Sequence, residues 1–328
     1  MIHWLALIAT RLLRLALVLA AVAVVGFALA KLSPVDPINA YLGADMVRVG
    51  PEQRALIAEK WGLDLPAQVQ FGKWLGSLLS GDLGYSMTYN APVAEVLAAR
   101  FKTSLPLLGL AWLFAGLIGF VLGVLAGAFP GTWIDRITRL YCYVLASAPT
   151  FWFAILLLMV FSVGLGWTPI CCAGPIGVLP QDVTPWQFLQ HLILPLLALI
   201  VLGVAQIALH TRAKMVEIMQ SDYALYARAQ GASRMEIALR HGARNAALPA
   251  ITVLFASLGE LFGGSVLAEQ VFAYPGLGSA TVAAGIKGDV PLLLALALFL
   301  TLFVFTGNAI ADLLYRVIDP RLHGEVAR

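Results

Sequence analysis

Charge is scarce in this chain: Asp, Glu, Lys and Arg together make up 12% of 328 residues, against 60% hydrophobic residues. A soluble domain carries about 25% charged residues, and no soluble core absorbs such an apolar excess, so the chain is a polytopic membrane protein. The basic residues form no long uninterrupted block, and nucleic acid is not an expected partner. Only three cysteines are present, Cys142 and the adjacent Cys171 and Cys172, too few for a disulfide framework. A soft metal at Cys171 and Cys172 with Met159 lacks further ligands, and the pair reads as incidental. Catalytic signatures are missing as well. There is no G-x-x-x-x-G-K-[ST] phosphate loop and no H-E-x-x-H, and His3, His191, His210, His241 and His323 are scattered without ligand spacing. No catalytic residue, metal site or cofactor of its own is therefore expected. Internal repeats and low-complexity segments are also absent.

What the chain does have is apolar runs long enough to cross roughly 30 Å of hydrocarbon. They lie near 13–32, 104–128, 140–165, 190–210 and 291–311, with another near 248–268 interrupted only by Glu260. Six transmembrane helices are the simplest count. The uncharged stretch after Gly164 is broken by Gly166, Pro169 and Pro175 and reads as an external loop. Arg11 and Arg14 before an apolar run imitate a signal peptide, but the run is of spanning length and reads as an uncleaved anchor. Basic residues cluster before the first run, between the second and third, from Arg212 to Arg244, and at the chain's end, whereas the opposite short loops hold only Lys287. By the positive-inside rule both termini and the Arg212–Arg244 loop are cytoplasmic. Pro106, Pro149 and Pro195 read as ordinary helix irregularities, and Gly116, Gly119, Gly123 and Gly127 as a small-residue face for close helix contact.

The domain reading is thus 1–32 as the N-terminal segment and first span, 33–102 as an external helical insertion, and 103–328 as a membrane core with a loop over 212–248. In the insertion, Pro51 opens a helix that runs through Trp61 and stops at Gly62, and Gln68 to Leu79 forms a second. The loop is the most informative segment. Ser221 or Asp222 caps one helix, Gly231 ends it, and Ser233 with Glu236 makes a capping box for a helix from Arg234 towards Leu248, before Pro249.

Several motifs now bear on identity. In the insertion stand Gly62-Leu-Asp-Leu-Pro66, Gln70-Phe-Gly-Lys-Trp74 and Gly81-Asp-Leu-Gly-Tyr-Ser86. The loop carries Ala227-Arg-Ala-Gln-Gly231, Arg240-His241, Arg244-Asn245 and Pro249, and beyond it come Glu269-Gln-Val-Phe272, Pro275-Gly-Leu-Gly278 and Asp319-Pro-Arg321. In order and spacing, over nearly the whole chain, these resemble a permease subunit of the bacterial peptide/nickel branch of ATP-binding-cassette importers. Leu225 and Tyr226 stand where many importer permeases have glutamate and alanine, which leaves no carboxylate role there. The resemblance implies an all-α, type I importer permease fold with six transmembrane helices in the bacterial inner membrane. It implies a heterodimer with a second, homologous permease, two ATP-binding subunits that hold ATP and Mg, an extracytoplasmic solute-binding protein, and surrounding lipid. Its cargo range covers peptides, nickel or metal chelates and other small solutes.

On this reading Tyr223, Ala227, Arg228, Gly231, Arg240 and Arg244 couple the loop to an ATPase, with Arg234 adding charge. Glu260, a carboxylate at membrane depth, is costly unless protonated, paired or wet, and it should face the bundle interior. Pathway lining with a preference for cationic cargo, and a hydrogen bond to the partner permease, are both open for it; Gln206 is a weaker pathway candidate. Asn308, Asp312 and Arg316 share a helix face, and Asp312 with Arg316 reads as an anchoring ion pair. Six spans and an intramembrane carboxylate would also suit an ion-coupled secondary transporter or channel.

Overall fold

The computed structural model describes residues 2–42 and 49–318; Asp319, Arg321 and His323 fall outside the described residues, as do the side chains of His3 and Arg316, and with the latter the expected pairing to Asp312. Four helices are long and apolar enough to span: α1 (Ile2–Leu32), α5 (Val93–Ala128), α8 (Pro185–Met219) and α14 (Val290–Ile318). The other two expected spans are broken. α6 (Trp133–Ala146) and α7 (Thr150–Leu157), the latter extended by a π turn over Leu158–Gly164, meet at 104°. α11 (Ala243–Ala256) and α12 (Leu258–Val271) meet at 49°. Six spans result if each bent pair counts as one. The first break falls at Ser147-Ala-Pro149, where proline cannot donate into a preceding turn; Pro106, Pro195 and Pro249 by contrast sit inside continuous helices.

The chain forms two compact units. One comprises the segment up to Thr103 together with Gly276–Phe305. It holds the short helices α2 (Pro37–Leu42), which was not expected, and α3 (Pro51–Lys60) and α4 (Ala67–Leu79), which end as expected, before Gly62 and before Gly81. α4 packs on the end of α1 through Phe27 and Phe71, with ring centroids 5.1 Å apart. A two-stranded hairpin, Tyr85–Ser86 with Ala91–Pro92, was not expected from the sequence. The Gly81–Ser86 motif finds its structural reason here. Asp289, fully buried, accepts from Ser86 Oγ at 2.6 Å, from the Thr88 amide at 2.9 Å and from the Leu292 amide at 3.2 Å. The last bond caps α14, just after α13 (Leu277–Ile286).

The second unit comprises Ser104–Pro275 and the segment from Thr306. Its core is the face of α8 that carries Leu192, Leu199, Val204 and Ala208, packed against α5, α6, α7 and α12. The glycine face of α5 lies directly on α8: a Cβ at Gly119 would stand 2.9 Å from Ile207 Cβ, and one at Gly123 2.5 Å from Thr211 Cβ. The expectation of close helix contact thus holds. Cys171 and Cys172, read as incidental, are bonded to each other, and the Cys172 amide donates to the Phe272 carbonyl at 2.9 Å. Neighbouring side chains on one loop need no long-range framework to meet, which is why a cysteine count misses such a pair.

Candidate functional site

The elbow after α8 has the predicted turn. α9 (Asp222–Ala229) ends at Gln230, Gly231 has φ +90°, the Gly231 amide donates to the Arg228 carbonyl and the Ala232 amide to that of Ala227, at 2.9 and 3.1 Å. That pair of bonds is the Schellman arrangement, which leaves glycine in the left-handed region. Ser233 Oγ then accepts from the Glu236 amide at 3.2 Å to start α10 (Arg234–Ile237).

Three details differ from the sequence reading. The capping box is half formed, because the Glu236 carboxylate turns away to Arg240, 2.8 Å distant. Ser221 occupies the cap position of α9, but its hydroxyl donates backwards to the Ile218 carbonyl. The second helix does not stop before Pro249: a π turn over Ala238–Gly242 leads from α10 into α11, which continues to Ala256. Helix irregularity at the π turn, one residue wider than an α turn, has no marker in the sequence.

The faces of α9 are sharply divided. Ala224 is fully buried and Ala227 half-buried against Ile218, Met219, Ile237 and Ala238, so small residues hold the helix to its own elbow. The opposite surface exposes Tyr223 at 44%, Leu225 at 64% and Tyr226 at 67%. Leu225 and Tyr226 were noted in the sequence only as departures; their exposure makes them the main apolar surface of the helix. Arg228 is exposed, and its guanidinium donates to the Met219 carbonyl at the end of α8. That bond ties α9 to the end of α8. Arg240 stays exposed beside Glu236, and Arg244 is exposed without a hydrogen bond or ion pair among the described residues.

At the root of the elbow stands a residue that sequence reasoning missed. Asp135, in the first turn of α6 and 1% exposed, accepts from Arg212 Nε and Nη2 and from the Gly131 amide at 2.9 Å, with Arg139 Nε at 3.4 Å. A signal existed: Asp135 is the only acid between Glu95 and Asp182.

Farther along α8, Gln206 and Glu260 meet. Gln206 Nε2 donates to Glu260 Oε2 at 3.1 Å, and both side chains are exposed in a cleft of about 250 Å³ walled by Trp112, Leu145, Thr150, Leu254 and Ser257. The break at Ser257 sets Glu260 in the first turn of α12, where the helix dipole favours an anion. Trp112 Nε1 donates to the Leu254 carbonyl at 2.9 Å and fixes one wall. His210, one turn beyond Gln206, is exposed with its Nδ1 2.8 Å from the Gln206 carbonyl, and Asn245 and Thr252 of α11 are exposed as well. Among the described residues no acids, histidines or cysteines gather as metal ligands, and these polar groups extend the polar surfaces of α8 and α11.

Comparison with known proteins agrees with this geometry. The family model described as "Binding-protein-dependent transport system inner membrane component" matches residues 119–324. The oligopeptide transport system permease protein AppB of Bacillus subtilis is 34% identical over 306 residues, covering 93% of this chain and 95% of that one. The glutathione transport system permease protein GsiC of Salmonella paratyphi A is 35% identical over 312 residues, 95% of this chain and 97% of its own. The di/tripeptide transport system permease protein DppB of Pseudomonas aeruginosa is 34% identical, with 90% and 92% covered. Among solved structures, a chain of the methionine ABC transporter MetNI in an inward-facing conformation superposes with a TM-score of 0.51 at 18% identity, over 68% of this chain and 96% of that one, a likeness of fold. A membrane bundle with broken spans, an elbow between α8 and α11, and matches along nearly its full length together place this chain in the family of binding-protein-dependent transport system inner membrane components, as a non-catalytic permease subunit of an importer.

Proposed function

We propose that this chain forms half of a peptide translocation pathway, opposite a second, related permease, and that two ATP-binding subunits drive it through the elbow over 221–249. ATP and Mg are held by those subunits, and an extracytoplasmic binding protein delivers the cargo. Both termini and the elbow face the cytoplasm, in keeping with the basic residues gathered there. The external insertion is 33–102 and the core 103–328, with 212–248 as its coupling loop. Peptides are the favoured cargo because the relatives' names specify oligopeptides, di- and tripeptides and glutathione; nickel has no such support.

One observation carries the coupling assignment: α9 is fastened to its own elbow by Ala224 and Ala227 and offers Tyr223, Leu225 and Tyr226 to an outside groove. An apolar helical face of this kind, on a loop that also exposes Arg240 and Arg244, suits the cleft of a partner ATPase. Tyr226→Glu is expected to abolish stimulation of ATP hydrolysis by loaded binding protein while the subunit still reaches the membrane. Gly231→Val, which strains a left-handed turn by about 1–2 kcal/mol, should weaken the same coupling. Normal coupling in both variants, measured in proteoliposomes, would remove the assignment.

Gln206 and Glu260 line the pathway, and the carboxylate favours cationic cargo. In Glu260→Gln, uptake of a lysine-containing peptide should fall several-fold relative to a neutral peptide of equal length. Equal losses for both would leave Glu260 with a structural hydrogen bond alone.

A further inference from the structure

A second cavity, of about 280 Å³, lies entirely within the unit that contains α1 and the insertion. Its walls include Phe27 and Lys31 of α1, Trp61 after α3, and Gln70, Lys73 and Trp74 of α4. Two lysines line it and, among the described residues, no acid does. The neighbouring acid in sequence, Asp289, is fully buried and accepts from Ser86, Thr88 and Leu292 instead.

The polar groups are held in place. Gln70 Nε2 donates to the Leu63 and Leu65 carbonyls at 3.1 and 2.7 Å, so Gln70 Oε1 is left to accept from Lys31 Nζ. Lys31 Nζ also lies 5.7 Å from the centre of the Phe27 ring. Among the described residues Lys31 thus meets only neutral partners. Lys73 has no hydrogen bond or ion pair among the described residues.

Depth decides the ligand. Lys31 stands at the end of a span whose Leu17, Val24, Val25, Leu29 and Leu32 are all exposed, so the cavity opens at the level where the hydrocarbon gives way to headgroups. Tryptophan and lysine are the residues that favour this level, and the anion abundant there is the lipid phosphate.

We infer that this cavity binds the headgroup of an anionic phospholipid, with Lys31 and Lys73 on the phosphate and Trp61 and Trp74 against the glycerol and upper acyl chain. The site shares no residue with the elbow or the Gln206–Glu260 cleft, so it stands or falls independently of the proposed function.

The test uses the whole importer complex, purified in detergent and titrated with phosphatidylglycerol or with phosphatidylcholine of the same acyl chains, with bound lipids read by native mass spectrometry. The tightest class of phosphatidylglycerol sites should weaken about fivefold in Lys73→Gln and about 25-fold in Lys31→Gln/Lys73→Gln, from the surface attraction of each lysine. Phosphatidylcholine binding should not change, and Lys73→Arg should bind as the unaltered chain does. Since Lys31 also holds Gln70, Lys73→Gln carries the decision if the double variant assembles poorly. Unchanged phosphatidylglycerol binding in Lys73→Gln would overturn the inference. So would displacement of the lipid by inorganic phosphate or by a dipeptide, either of which would assign the lysines to a free anion.

Discussion

Leucine in place of Gly123 is expected to leave little or no folded subunit in the membrane. A Cβ at this position would lie 2.5 Å from Thr211 Cβ and 2.7 Å from the Ala208 carbonyl oxygen, and the latter is helix backbone that cannot step aside. Even alanine is tight here and should lower stability by about 1–3 kcal/mol, the usual scale of overpacking. The same holds at Gly127, where Met215 Cβ and the Arg212 carbonyl would be 2.5 and 2.7 Å away. Between apolar helices in lipid there is no hydrophobic gain to offset such a separation; the contact itself holds the pair together. Membrane abundance and thermal unfolding in detergent measure the effect. Gly72→Ala in α4, whose Cβ would meet nothing within 4 Å, serves as the control and should be neutral or slightly stabilising. Wild-type abundance and melting of Gly123→Leu would mean that α5 and α8 do not touch along this face.

The spacing of these glycines was readable in the sequence because it is a property of one helix. Its partner was not. Glycines recurring every three or four residues announce a flat face, yet nothing local states whether α8, α14 or another subunit fills it.

A comparable loss is expected for Asp135→Asn. The carboxylate is 1% exposed and faces Arg212, itself 22% exposed, and removing one member of such a pair costs about 3–5 kcal/mol because the other charge stays buried without a partner. The Gly131 amide can still find the Asn oxygen, but the Asn amide group opposes the guanidinium. Because the pair joins the start of α6 to α8 just ahead of the elbow, coupling between ATP hydrolysis and uptake should weaken together with the melting temperature. The double variant Asp135→Leu/Arg212→Met removes both charges at similar volume and should recover most of the stability, since Arg139, at 38% exposure, can turn to water. Coupling recovered along with stability assigns the pair to packing. If stability returns and coupling does not, the ion pair has a part in motion. Wild-type melting of Asp135→Asn itself would show that the two side chains do not rely on each other.

Arg228 shows how a residue type can be read from sequence while its contacts cannot. A basic residue next to a helix end obeys the positive-inside tendency and also suits a docking surface, and the two readings could not be separated on charge alone. Its guanidinium bonds the Met219 carbonyl, one of those left without a partner where α8 ends, a contact that charge alone does not announce. Leu225 and Tyr226, which in the sequence were only departures from a pattern, are the exposed apolar residues of α9 and join the proposed docking surface.

The chain alone settled what consecutive residues can settle: membrane residence from apolar runs, the helix ends at Gly62 and Gly81, the left-handed turn at Gly231, and importer kinship from ordered motifs. Apolar transfer and capping act over a few neighbouring residues, so their signals survive without a third dimension. Folding decided the rest. Asp135 meets Arg212 across 77 positions and Gln206 meets Glu260 across 54, and two of the six spans break. Such pairings depend on how each helix is rotated and where its neighbour lies, and an uninterrupted apolar run carries almost no record of either.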